Sequence, residues 1–309
     1  METVHVQAPV SKLITTPRAN ATVAHAPGTC GEFFQAALDG QDFLVNCPID
    51  WYAHARVGAA SLPGLALANA GNFSKVAIAV RRLGKLKHIE LQHRLSISST
   101  LPRGKGMASS TADLTAALAA FSSHAGVALS ATEMASLIAA VEPSDCVHYP
   151  GIARVDHLSG ELLHSYPVPQ ALRVIVVDCG GEVDTLSVDR ERARALYRAE
   201  QNRVRVAFES LHHGLLRGRF DWIGRAATES AKINQQLLPK AQFPELLRLT
   251  ALQGATGVNC AHSGSVLGVL YESNRRTEER LTDAIAKAFG SDLKILGNFA
   301  VVGGGLHAR

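Results

Sequence analysis

Leu101-Pro102-Arg103-Gly104-Lys105-Gly106-Met107-Ala108-Ser109-Ser110-Thr111-Ala112-Asp113 runs straight into Leu114-Thr115-Ala116-Ala117-Leu118-Ala119-Ala120-Phe121. A proline and two glycines, then paired hydroxyls, then a run of strong helix formers describe a flexible loop feeding a helix start. The first backbone N–H groups of a helix have no partner within it, and the aligned peptide dipoles place roughly half a positive charge there. Such an end holds phosphate well, so the phosphates of a nucleotide are the natural guest. Gly104 and Gly106 let the backbone approach the anion, while Ser109 or Ser110 caps the helix or lends an oxygen to magnesium. The spacing is not that of a P-loop, because no Gly-Lys-Ser or Gly-Lys-Thr follows Gly104 at the required distance. Ala108 argues against a positive φ at its position, or makes one costly.

Size and composition narrow the class. The 309 residues suffice for a large core and two subdomains, here placed at 1–165 and 166–309. With 47% hydrophobic and 19% charged residues the chain reads as globular rather than disordered. No apolar run reaches the roughly 18 to 20 residues that span a bilayer, and no basic segment followed by an apolar core opens the chain, so a cytoplasmic enzyme away from the membrane is expected. Five scattered cysteines, Cys30, Cys47, Cys146, Cys179 and Cys260, lack metal or redox spacing and read as reduced thiols. The net charge of +4 is mild; it favours an anionic ligand and gives little support for nucleic acid.

Other stretches supply candidate chemistry. Residues 1–22 read as an extension or loose first strand. Ala26-Pro27-Gly28-Thr29-Cys30-Gly31-Glu32 is turn-rich, and Phe43 to Ala53 reads as a strand interrupted by Pro48, together a hairpin layer. Asn72 opens an amphipathic helix. Residues 91–98 read as a strand leading into the phosphate loop, and Ser130 with Glu133 forms a capping box. That next helix must stop before Glu142-Pro143-Ser144-Asp145, two carboxylates three residues apart on a stiff turn, suited to magnesium and proton work. Residues 172–178 read as a buried strand, 190–216 as an arginine-rich helix, 220–237 and 244–253 as helices, 277–288 as a helix and 299–302 as the last strand. Ser263-Gly264-Ser265 lies in a small-residue loop before a strand.

These motifs, in this order, resemble those of the GHMP small-molecule kinases. The central one matches through Pro102, Gly106, Met107, Ser109, Ser110 and Ala112, with Ala108 and Thr111 standing where that family mostly has glycine and alanine. The shortened first motif and the Glu142-Pro143-Ser144-Asp145 signature are most similar to the L-threonine kinases of that family, which supply the aminopropanol linker of cobalamin. The resemblance implies an α+β, two-domain fold, with an N-terminal ribosomal-protein-like βαβ domain and a C-terminal ferredoxin-like domain around a cleft. It implies ATP and magnesium as cofactors, and ATP-dependent phosphorylation of L-threonine or, failing that, of homoserine, a sugar or an isoprenoid alcohol. Pro102, Arg103, Gly104, Lys105, Gly106, Met107, Ala108, Ser109, Ser110 and Asn72 would hold the nucleotide, and Ser110 and Glu142 the magnesium. Asp145 would orient or deprotonate the acceptor hydroxyl, with Thr29, Cys30, Glu32, Asp50, Ser263 and Gly264 on the substrate side. A homodimer is compatible with the resemblance, and oligomeric state is not set by the sequence.

Overall fold

Thr22–Leu38 (β1) and Gln41–Ala59 (β2) form a long antiparallel hairpin in the computed structural model, which describes residues 21–59, 64–68, 74–89, 91–181, 189–305 and 307–308. Asp39 and Gly40, at φ 52° and 82°, make its two-residue turn, the backbone geometry that follows the twist of paired strands. The turn expected at residues 27–31 and the break at Pro48 are absent. Both strands run through, because register shifts after Pro27 and between Thr29 and Phe34 absorb the irregular residues as bulges, with Gly31 at φ 51°. Residues 1–20 of the expected extension and the Asn72 position fall outside the described residues, while Thr22, at its end, opens β1.

Gly64–Ala68 (β3) pairs parallel to Gln92–Ser99 (β4) across Ser74–Leu86 (α1), and β4 pairs with β2. Ser109–His124 (α2) lies on β1 and β2, and α1 and Ala131–Ala139 (α3) pack against it. It is buried almost all round, and its alanines Ala112, Ala116, Ala117, Ala119 and Ala120 let sheet and helices close on it from opposite sides. The expected capping box is present: Glu133 N–H donates to Ser130 Oγ (3.1 Å) and Ser130 N–H to Glu133 Oε2 (2.9 Å).

Ile152–Val155 (β5) and Leu162–Tyr166 (β6) lead to the second half. There Leu172–Asp178 (β7), Gly257–Cys260 (β8), Val266–Glu272 (β9) and Lys294–Ala300 (β10) carry Phe220–Asn234 (α6), Phe243–Leu252 (α7) and Arg275–Phe289 (α8). The helix expected over 190–216 breaks at Glu200 into Arg190–Ala199 (α4) and Gln201–Arg217 (α5). The last expected strand begins earlier, at Lys294, because a bulge at Gly297, φ 155°, hides its alternation. His307–Ala308 (β11) returns to β1.

All this is one mixed α+β structure around a sheet ordered β10-β7-β9-β8-β1-β2-β4-β3. Its two halves join where β8 meets β1 at a single register pair, Cys260 opposite Glu32. No helix among the described residues is long and apolar enough to cross a membrane.

Where α6 crosses β8 the backbones touch: a Cβ on Gly224 would lie 2.3 Å from Thr256, and one on Gly257 would lie 2.0 Å from the Gly224 carbonyl. Gly224→Ala and Gly257→Ala should each lower the unfolding free energy in urea by about 1–3 kcal/mol. Gly58→Ala, with its nearest neighbour 3.7 Å away, should change it by less than about 0.5 kcal/mol. Equal stability for all three variants would refute the crossing as a packing constraint.

Candidate active site

Two segments distant in sequence hold the 101–110 loop by its backbone. Thr29 N–H donates to Met107 O and Gly31 N–H to Gly106 O (both 3.1 Å), while Val266 N–H donates to Lys105 O (3.2 Å). Side chains are excluded from the contact. A Cβ on Gly106 would lie 2.3 Å from Ala261 Cβ, and one on Gly264 would lie 2.2 Å from Lys105 O. Gly104 and Gly106 take φ 67° and 77°, and so does Ala108, at 52°, contrary to expectation. For alanine this left-handed backbone costs about 1–2 kcal/mol, which the surrounding contacts sustain. Ala108 also occupies the N-cap of α2 with no side-chain cap bond, so neither Ser109 nor Ser110 caps the helix. The first helical bond is Ala112 N–H to Ala108 O, which leaves the amides of residues 109–111 as first-turn donors.

The helix start opens on a cavity of about 860 Å³. One side is lined by Ser74, Lys75, Arg103, Gly104 and residues 106–111, and the other by Glu32, Gln35, Asp42, His157, Arg190, Arg194, Tyr197, His262 and Ser263. Between them lie Glu142 and Asp145. Asn46 builds that acidic turn from beneath: its Nδ2 donates to Asp145 O (3.1 Å), and its Oδ1 accepts from Ala153 N–H (2.9 Å). Ser144 Oγ accepts from Cys146 N–H (3.0 Å), and Ser144 O–H reaches Thr111 Oγ1 (3.5 Å), tying the turn to the first turn of α2.

The charges here are unequally matched. Lys75 takes Glu142 Oε2, while Glu142 Oε1 is buried with no partner. Asp145 has no hydrogen bond or ion pair to its carboxylate among the described residues. Burial, with Glu32 and Glu142 nearby, pushes it up to about 8. Asp113 pairs with Arg103 at 2.8 Å, yet burial still raises it to about 6 against the pull of that guanidinium.

A divalent cation fits this donor set. Glu142 Oε1 lacks a partner and Ser110 lines the same cavity, while no cluster of three or more His, Cys, Asp or Glu side chains occurs among the described residues. The remaining oxygens of a magnesium shell would therefore come from phosphates and water.

Several expected ligands lie elsewhere. The Lys105 ammonium does not line the cavity; it pairs with Asp178 (2.9 Å) and donates to Gly181 O (2.5 Å). Pro102 and Gly264 do not line the cavity, and Gly264 presses instead on the loop backbone at Lys105 and Gly106. Thr29 and Cys30 are fully buried in the bulged part of β1, with Cys30 Sγ 3.9 Å from Asn259 Oδ1, and burial drives that thiol well above its usual range. Asp50 is exposed and accepts from Ala300 N–H (2.8 Å), tethering β10. Alternation along a bulged strand does not tell which side chains reach the site. All five cysteines are free thiols. Arg203 and Arg205, in the arginine-rich stretch, pair with Glu229 and Asp39.

Sequence reading missed Lys75, Asp42, His157, Arg190, Arg194, Tyr197 and His262, all of which line the cavity. The signal for His262 was its place directly before Ser263-Gly264-Ser265. Arg190 and Arg194 stand one turn apart on α4, indistinguishable in sequence from a solvated face.

The profile of a family described as GHMP kinases N terminal domain matches residues 72–151. The chain is similar to an L-threonine kinase of Salmonella typhimurium, 31% identical over 271 residues that cover 87% of this chain and 89% of the relative. An L-threonine kinase of Citrobacter freundii is 30% identical, covering 82% of this chain and 87% of that protein. Among solved structures, homoserine kinase from Cytophaga hutchinsonii superposes with a TM-score of 0.73 at 17% identity, over 96% of this chain and 99% of that one.

The raised Asp145 carboxyl has a consequence for stability. The unfolded chain gives up this proton near 3.8 and the folded, ligand-free protein near 8, so folding stability from this group is present at low pH and falls as pH rises through that interval. Asp145→Asn should flatten the decline of unfolding free energy between pH 4 and 8. A decline as steep as that of the unsubstituted protein would show that Asp145 ionises normally.

Proposed function

The chain belongs to the GHMP kinases, phosphotransferases that act on an alcohol group, and from that we propose that it transfers the γ-phosphoryl group of ATP to the side-chain hydroxyl of L-threonine, giving O-phospho-L-threonine and ADP. The observation that carries this reading is the acidic turn of Glu142 and Asp145, bonded to the start of α2 and facing the same cavity as its free amides. The choice of L-threonine is supported by the two relatives that bear that activity in their names. By the same likeness we assign the product to the aminopropanol linker of cobalamin.

Phosphoryl transfer asks mainly for alignment and charge neutralisation. In the proposed arrangement the amides of residues 104–111 and the Ser109 and Ser110 hydroxyls take the triphosphate. Lys105 serves through its backbone, because its ammonium is engaged by Asp178. Ser110 and Glu142 hold magnesium, which when bound neutralises charge on the phosphate oxygens. Asp145 meets the acceptor hydroxyl. Burial and the neighbouring carboxylates raise its pKa, so near neutral pH it holds the hydroxyl by a hydrogen bond, and only its ionised fraction can take the hydroxyl proton. Glu32, on the acceptor side, suits the α-ammonium of an amino acid.

An ADP-release assay over L-threonine, L-serine, L-homoserine, mevalonate and galactose tests the acceptor: turnover should be highest with L-threonine, and turnover of mevalonate without L-threonine would overturn the reading. Asp145→Asn and Glu142→Gln should each lower kcat by at least about a hundredfold. Near-normal kcat in either variant removes that residue from its role.

A further inference from the structure

His262 is buried, yet it lines the cavity, and every polar atom of it is used. Its backbone N–H and its Nδ1 both lie 2.9 Å from the same oxygen, Glu32 Oε2. Its Nε2 lies 3.0 Å from Ser230 Oγ on α6, which in turn accepts from Gln35 N–H (3.2 Å). Its carbonyl accepts from Asn234 Nδ2 (3.3 Å), and the preceding carbonyl, of Ala261, accepts from Lys240 Nζ (3.1 Å). Burial opposes a charge on the imidazole, but the Cys260 sulfur and the Glu32 carboxylate outweigh it, and the direction is upward, towards imidazolium.

The consequence falls on Glu32. Its Oε2 is pinned twice, whereas Oε1 has no protein partner among the described residues, and the residue lines the acceptor side of the cavity with Asp145. Two donors on one oxygen fix its place and set which oxygen of the carboxylate is left for the cavity. Resting on the proposed amino-acid acceptor, we propose that His262 is a positioning residue: by holding one oxygen of Glu32 it presents the other to the acceptor's α-ammonium group, and so selects amino alcohols over alcohols that lack the amine. Both ring nitrogens are already engaged by protein groups, so His262 offers neither of them to nucleotide or acceptor.

Two substitutions separate positioning from bulk support. His262→Gln places its amide near the Nε2 position and gives up the side-chain hold on Glu32, whereas His262→Asn places a donor near Nδ1 and keeps it. His262→Gln should raise the Kd and KM of L-threonine by roughly ten- to a hundredfold, the range of a hydrogen bond to a charged group. The KM of ATP should stay within about threefold, and so should the Ki of 3-hydroxybutyrate, which keeps the hydroxyl and carboxylate and lacks the amine. His262→Asn should recover most of the loss. Unchanged threonine binding in His262→Gln overturns the proposal, as does a proportional loss for threonine, ATP and 3-hydroxybutyrate together. Should His262→Gln fail to fold, Glu32→Gln, of the same shape, reads the same contrast between L-threonine and 3-hydroxybutyrate, and equal effects on both overturn it. A protein that binds L-threonine without phosphorylating it refutes the kinase reading alone, and the calorimetric Kd series still decides the part of His262.

Discussion

Backbone meets backbone at Gly106, and the rest of the site depends on that contact. The 105–107 carbonyls accept from Thr29 and Gly31 on one flank and from Val266 on the other. Gly264 and Ala261 press against the same short stretch. A hydrogen-bonded contact at this range leaves no room for side chains, so the loop stays open on its remaining face, toward the cavity. The first-turn amides of α2 are then left without an intrahelical partner at the cavity. The same contact explains why Ala108 is held at a left-handed φ: the loop is pinned from β1 and from the turn before β9, and the helix must begin where they leave it.

Charge in the cavity follows from how the acids are partnered. Arg103 answers Asp113, Arg194 answers Asp42, and Lys105 answers Asp178. Glu142 is half answered by Lys75, and Asp145 by nothing among the described residues. Withholding a counter-charge from a buried carboxylate makes it seek a proton or a cation. Both are what the proposed magnesium-nucleotide and hydroxyl acceptor would bring. Asn46 and Ser144 set this turn through its backbone, leaving the carboxylates unspent.

Glu32 links the two halves in two ways. Its backbone supplies the single register pair with β8, and its side chain accepts from His262 just beyond that strand. The joint between halves and a residue of the cavity wall are therefore the same. A displacement of β8 relative to β1 would be felt at once by the carboxylate.

Local chemistry was readable from the residues alone: a loop of glycines before an alanine-rich helix, an acid pair on a proline turn, a capping box at Ser130, a β-branched strand at 172–178. Each depends on neighbours within a few positions, and covalent connectivity guarantees those. The family resemblance rested on the same short motifs. Which side chains enter the cavity was a different matter. Thr29 and Cys30, which the resemblance placed on the substrate side, are buried in the bulged part of β1, and Asp178, across the sheet order, claimed the ammonium of Lys105. Lys75, Arg190 and His157 arrive from separate elements, and nothing in their local sequence distinguishes them from ordinary surface or core residues. Short-range patterns fix the backbone's conformational choices, whereas the partners of a charged side chain are set by packing between distant segments, which only the folded chain brings together.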